Sequence, residues 1–156
     1  MKAFTFIHSY ICGIQVGIQA GHSIVELMRK EEGDNTVREW ADHHKTFVWL
    51  DGGDSENLND AINIMQESGM PYAYFNEPAL KYSSTDDGII TAATVVASSE
   101  MVYYSDLIRQ DRLEYREYAA RSGFYDKDDE FVFGNEFTVE EMRLINLIAN
   151  ARSKSV

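Results

Sequence analysis

The hydrophobic pattern changes period several times along this chain, and each change predicts an element. From Ala3 to His8, Phe4, Phe6 and His8 alternate with Thr5 and Ile7, a period of two that predicts a strand. From Ile11 to Lys30 the period becomes helical. Ile14, Ile18, Gly21, Val25 and Met28 recur at spacings of four, three, four and three, which predicts a buried stripe on a helix over 12–30. Gln15, Gln19, His22 and Glu26 share a second face of that helix. Gly13, Gly17 and Gly21 sit four apart. Each interior glycine costs a helix about 1 kcal/mol relative to alanine, so close approach of another backbone or a ligand is expected there. Gln, His, Glu, Arg and Lys interrupt the segment and exclude a membrane dimer face of the GxxxG kind.

The pattern then shortens. Val37 to His44 predicts a short helix, with Val37, Trp40 and Ala41 on one side. Lys45 to Leu50 is aromatic and β-branched, and predicts a strand. Asp51-Gly-Gly-Asp-Ser55 is turn chemistry, with Ser55 as the expected helix N-cap. Leu58, Ala61, Ile62 and Met65 set the core side of the next helix, and Gly69 and Pro71 end it. Tyr72 to Phe75 is a third strand, Leu80 to Gly88 a polar loop, and Ile89 to Ala97 a fourth strand. The nearly unbroken apolar and small composition of that last strand predicts burial on both faces.

Residues 100–156 have another character. Met101 to Arg121 mixes Leu107, Ile108, Tyr115, Tyr118 and Ala119 with many charges and predicts a solvent-laced helix. Ser122 to Phe137 reads as irregular. Thr138-Val-Glu-Glu141 is a capping box before a helix that buries Met142, Ile145, Ile148 and Ala149. The chain therefore divides into an α/β domain over 1–99 and a helical C-terminal extension over 100–156. Packing on the sheet domain, covering its active-site face and forming a homodimer all stand open for the extension.

Composition narrows the setting. The chain has 156 residues, 44% of them hydrophobic, which is enough for one core. No apolar run approaches the roughly 18 residues of a membrane span. One cysteine, Cys12, excludes an internal disulfide, and MKAFTFIHSY is a poor signal peptide. A soluble cytoplasmic protein is expected. The net charge is −12. Residues 1–100 hold 6 basic against 15 acidic side chains, a net of −9. A surface for tRNA needs clustered Lys and Arg, so this balance counts against nucleic acid; it either keeps the protein soluble or suits a basic protein partner.

A strand followed by a small-residue helix carrying Gln-x-x-His resembles the type II peptidyl-tRNA hydrolases. Gln19, His22 and Ser23 match the end of that family's helix motif. Trp40 ahead of Lys45, the helix exit Glu67-Ser-Gly-Met-Pro71, and Asp87-Gly88 before Ile89-Ile90-Thr91 are smaller matches in the same order. The resemblance covers roughly residues 1–98. It implies a mixed four-stranded sheet with helices on both faces. It also implies hydrolysis of the ester between peptide and tRNA, by a lysine at the start of the long helix and by an Asp and a Thr in an Asp-Ala-Gly-Arg-Thr loop. Here Gln15 stands at the lysine position. The loop falls on Glu77-Pro-Ala-Leu-Lys81, with Glu77 at the aspartate, Leu80 at the arginine and Lys81 at the threonine.

The candidate catalytic set is therefore Gln19, His22, Glu77 and Lys81, and Gln15, Gly17, Gly21 and Thr91 are candidate ligand contacts. Gln15 is neutral and cannot replace a cation, although it can hydrogen-bond. Lys81 could restore a Lys–carboxylate pair from the loop side. Two functions follow. One is a divergent, accessory binding protein that uses the old cleft for a protein or small ligand. The other is an active hydrolase with a relocated site, the one case in which tRNA is a partner. No metal site is expected. Asp42-His43-His44 lacks a second pair at ligand spacing, and Asp126 to Glu130 lacks the register of a calcium loop. No phosphate-binding or dinucleotide motif occurs, so no cofactor is expected.

Overall fold

A computed structural model of the chain describes residues 1–80, 88–122 and 137–155, with 112–122 described for the backbone alone. Four strands form one mixed sheet: β1 (Lys2–Ile7), β2 (Phe47–Asp51), β3 (Tyr72–Glu77) and β4 (Ile89–Ala97), in the order β2-β1-β4-β3. β1 runs parallel to β2 and antiparallel to β4, and β3 runs antiparallel to β4. β4 is central, and all but its first two residues are buried. That is what its apolar and small composition predicts, because both of its faces are covered.

The helices divide between the two faces. α1 (Ile14–Lys30) lies on one, with α2 (Asn35–Glu39) and a π-helical turn, Trp40–His44. α3 (Ser55–Glu67), the start of α4 (Ser99–Ser122) and α5 (Val139–Asn150) share the other core, with Phe4, Phe6, Leu50 and Val95. The α/β architecture with helices on both faces is thus present. The C-terminal extension packs against α3, opposite α1. Its tail also runs along the free edge of β2. The Asp51 N–H donates to Arg152 O at 2.8 Å, and the Lys154 N–H to Trp49 O at 2.9 Å. An edge strand is thereby covered by the chain's own end.

Several local expectations hold. Thr138 and Glu141 form the capping box of α5, and Gly69 takes the left-handed conformation after α3, with φ +69°. Three need correction. The N-cap of α3 is Asp54, whose carboxylate accepts from Glu56 and Asn57, and Ser55 is the first helical residue. In α5, Leu144 is fully buried where Met142 is only half-buried, because the helix packs on both α3 and α4.

The third concerns α1, which is turned the other way from the predicted stripe. Its buried residues are Val16, Gln19, Ala20, Ser23 and Leu27. Ile14, Ile18, Gly21, Val25 and Met28 face solvent. The reason lies in the sheet. The surface under the middle of α1 carries small and hydroxylic side chains, Ala3, Thr5, Ala73, Ala92 and Thr94, with Ile7 and Val96 beside them. Ala20 and Ser23 sit closely on the small ones, and Val16 and Leu27 on either side pack into the apolar clusters. The polar groups of this helix face then find partners, so their burial is not penalised.

Candidate functional site

Buried hydroxyl groups fix the rotation of α1. Ser23 Oγ donates to Ala20 O at 2.9 Å, so the 2.6 Å bond between Ser23 and Thr94 has Thr94 as donor. Thr5 then donates to Thr94 at 2.8 Å. This chain joins α1, β4 and β1 beneath the helix, and fixed in this way α1 directs Gln19 at the sheet one turn earlier.

A change of strand register completes the placement. Phe75 pairs with Ala92, but the next residue, Asn76, pairs with Ile90, so Thr91 is the extra residue of a β-bulge. A bulge re-aims side chains. Thr91 joins Ala92 in presenting its side chain to α1, although adjacent strand residues ordinarily face opposite sides. Thr91 Oγ1 donates to Gln19 Oε1 at 2.6 Å. That contact sets the amide, so Gln19 Nε2 donates to Glu77 Oε2 at 3.0 Å. Glu77 Oε1 accepts the Ala79 N–H at 3.1 Å. Gly88 lies against the Glu77 backbone at φ +105°, where a side chain would strike the Glu77 carbonyl.

Both Glu77 oxygens are thus held by donors. The Gln19 amide, then the Ala79 N–H, outweigh burial and, with the nearby His22, hold the carboxyl below its usual range. Such a group is ionised at neutral pH and a poor proton acceptor. A general base works best with a pKa near the working pH. What it can do well is anchor a cation or a strong donor.

The structure brings Gln19, His22, Glu77 and Thr91 together. The His22 ring is exposed and stands 4.4 Å from that of Phe75. Gln15 is exposed one turn before Gln19. Leu80, which the resemblance puts at the arginine position of the loop, packs partly buried against the cluster of Ile7, Ile11, Val16, Ala20 and Ala92. Lys81 and Asp87 lie outside the described residues, as does Asp126 to Glu130. The glycines receive a partial account. Gly13 has φ +58°, which favours glycine, Gly17 meets Trp49 at an ordinary distance, and a Cβ on Gly21 would meet nothing within 4 Å. Among the described residues, no backbone of another element comes within 4 Å of the Cβ position of the last two.

Sequence reasoning missed the Thr5–Thr94–Ser23 chain. The signal was there, as threonines at inward positions of two largely apolar strands, Thr5 in β1 and Thr94 in β4. It also missed a second polar cluster at the ends of β1 and β2. Lys154 Nζ donates to His8 O at 3.2 Å and Ser9 O at 2.9 Å, and stands 3.9 Å from Asp51. Beside it, His8 Nδ1 accepts the Tyr10 N–H, so the neutral ring carries its proton on Nε2 and donates to Ser55 Oγ at 3.1 Å. Burial lowers the His8 pKa against the pull of Asp54. Ser55 therefore faces a donor, and the pair is not a nucleophile with its base. A cavity of about 340 Å³ between α3 and α5 has Phe6, Ala61 and Leu147 in its wall, on the face away from Glu77.

Among the described residues, no group of three or more His, Cys, Asp or Glu is placed to hold a metal, and no helix is long and apolar enough to cross a membrane. No protein-family model matches the chain, and no curated protein is similar to it.

Proposed function

We propose that this chain is a divergent relative of the type II peptidyl-tRNA hydrolases that binds a protein segment or small ligand in the cleft beside α1 and does not hydrolyse an ester there. The state of Glu77 carries this reading. Its carboxylate is held ionised by Gln19 and the Ala79 N–H, and is built to receive positive charge. The position where the family keeps a lysine is the neutral, exposed Gln15. Two further features support it. Leu80 replaces the arginine of the family loop with an apolar contact. The chain's charge of −12 opposes an approach of tRNA phosphates.

The competing reading is an active hydrolase with a relocated Lys81–Glu77 pair. The convergence of Gln19, His22 and Glu77 at one place favours it. One assay decides. Purified protein is incubated with diacetyl-lysyl-tRNA, and released peptide is measured beside Glu77→Ala and Lys81→Ala. The expected result is no turnover above buffer. Turnover that either substitution abolishes would make the protein a hydrolase.

A further inference from the structure

The outward face of α1 is a regular apolar stripe that no core cluster of the described residues uses. Ile14, Ile18, Val25 and Met28 are 78%, 41%, 56% and 43% exposed. With Gly21 they alternate at spacings of four and three, the seam into which a second helix sets its side chains. Gly21 leaves a gap at the middle of the seam, and among the described residues nothing lies within 4 Å of where its Cβ would be. Glycine is a poor helix residue, and no packing among the described residues accounts for its place there.

The flanks say what fits. His22, Gln15 and Glu26 border the seam on the side where Glu77 stands, ionised and held by uncharged donors. Arg29 is already paired with Glu26 at 3.0 Å. A second copy would bring another −12 of charge and a second Glu26 and Glu77 to the same surface. Like charges brought together oppose self-association, whereas a helix flanked by Lys or Arg is attracted.

We propose that the outward seam of α1, with Glu77 beside it, docks an amphipathic helix of a basic partner protein. The inference rests on the binding reading above and names the partner class for that cleft. The mode is helix against helix, with apolar anchors one turn apart and a cation reaching the carboxylate.

The test uses the full chain and two labelled helical peptides with the same leucine seam. One is flanked by lysines and the other by glutamates. Fluorescence anisotropy reads binding, and sedimentation reads the oligomeric state of the protein alone. The lysine peptide is expected to bind at least about tenfold more tightly than the glutamate peptide. Val25→Asp, at an exposed position, is expected to weaken it about tenfold or more with an unchanged thermal melt. Glu77→Gln is expected to weaken the lysine peptide about threefold and not to weaken the glutamate peptide. Equal affinity for both peptides, or none for either, would overturn the proposal. So would a dimer that Val25→Asp dissociates, since the seam would then belong to a second copy. Failure of the cleft reading shows separately, as ester turnover in the tRNA assay.

Discussion

Two carboxylates, Asp51 and Glu77, are held below the usual carboxylate range at the same end of one small sheet, on its two opposite edge strands, by different means. Burial pushes Asp51 up, but the Ser9 hydroxyl, the Gly53 N–H and the charges of Lys154 and Arg152 outweigh it. Lys154 is the chain's own cation, and its side chain is only 8% exposed. The Asp51 cluster is therefore closed, and it ties the C-terminal tail to the ends of β1 and β2. Glu77 is held by an amide and a backbone N–H, neither of which carries charge. Among the described residues no lysine or arginine pairs with it. A carboxylate with its counter-ion built in is structural. One that is ionised by neutral donors keeps a charge to offer a ligand, and that difference separates scaffold from site.

The comparison can be broken at several points. The largest effect is expected from Gly88→Ala. A methyl group there meets the Glu77 backbone, at a φ that side chains rarely adopt. The loss in a urea titration should be about 3 kcal/mol, and a change near zero would show that the loop shifts freely. Lys154→Ala removes the donor to two carbonyls and the partner of Asp51. A loss of about 2 kcal/mol is expected. Amide exchange of the Asp51 N–H and of the N–H at position 154 should rise as the tail leaves β2, and unchanged protection would contradict the clasp. Thr91→Val keeps the shape but leaves Gln19 Oε1 without its donor, and should cost about 1 kcal/mol. It should also raise the Glu77 pKa, read by carboxyl NMR titration, because the amide is no longer held toward the carboxylate.

The smallest effect is on pH dependence. Glu77 and Asp51 have folded pKa values below their unfolded ones, so their contribution is present above about pH 4 and is lost as pH falls through the folded values. His8 is also lowered. The unfolded chain takes its proton more readily, and stability falls as pH drops below about 6.5. Urea midpoints should decline in two windows on acidification. His8→Gln should remove the upper window, and Glu77→Gln should reduce the lower one. A flat profile down to about pH 4 would refute the assignment of His8.

Much of the fold was legible in the sequence. The strands follow from period-two or unbroken apolar runs, and Thr138 with Glu141 marked the start of α5 correctly. Gln19, His22 and Glu77 were singled out as candidates, and the fold brings them together. The bonds that hold Glu77 were not legible. They depend on a bulge at Thr91, which has no glycine or proline to mark it. Nor could spacing reveal that Lys154 returns to His8, because the contact is 146 residues apart and closes only when α5 packs on α3.

By itself, then, the sequence determined which segments become strands and helices, where several of them stop, and that α1 has an apolar stripe and a separate polar face. Those properties are local, set by backbone sterics and the period of the side chains. Which stripe of α1 faces inward was decided only in the tertiary structure. Apolar periodicity favours Ile14, Ile18, Val25 and Met28. The sheet offers Thr91 and Thr94 as hydrogen-bond partners and small side chains as a close-fitting floor. Once Gln19 and Ser23 are satisfied there, burying them carries little penalty and the apolar stripe is left outside.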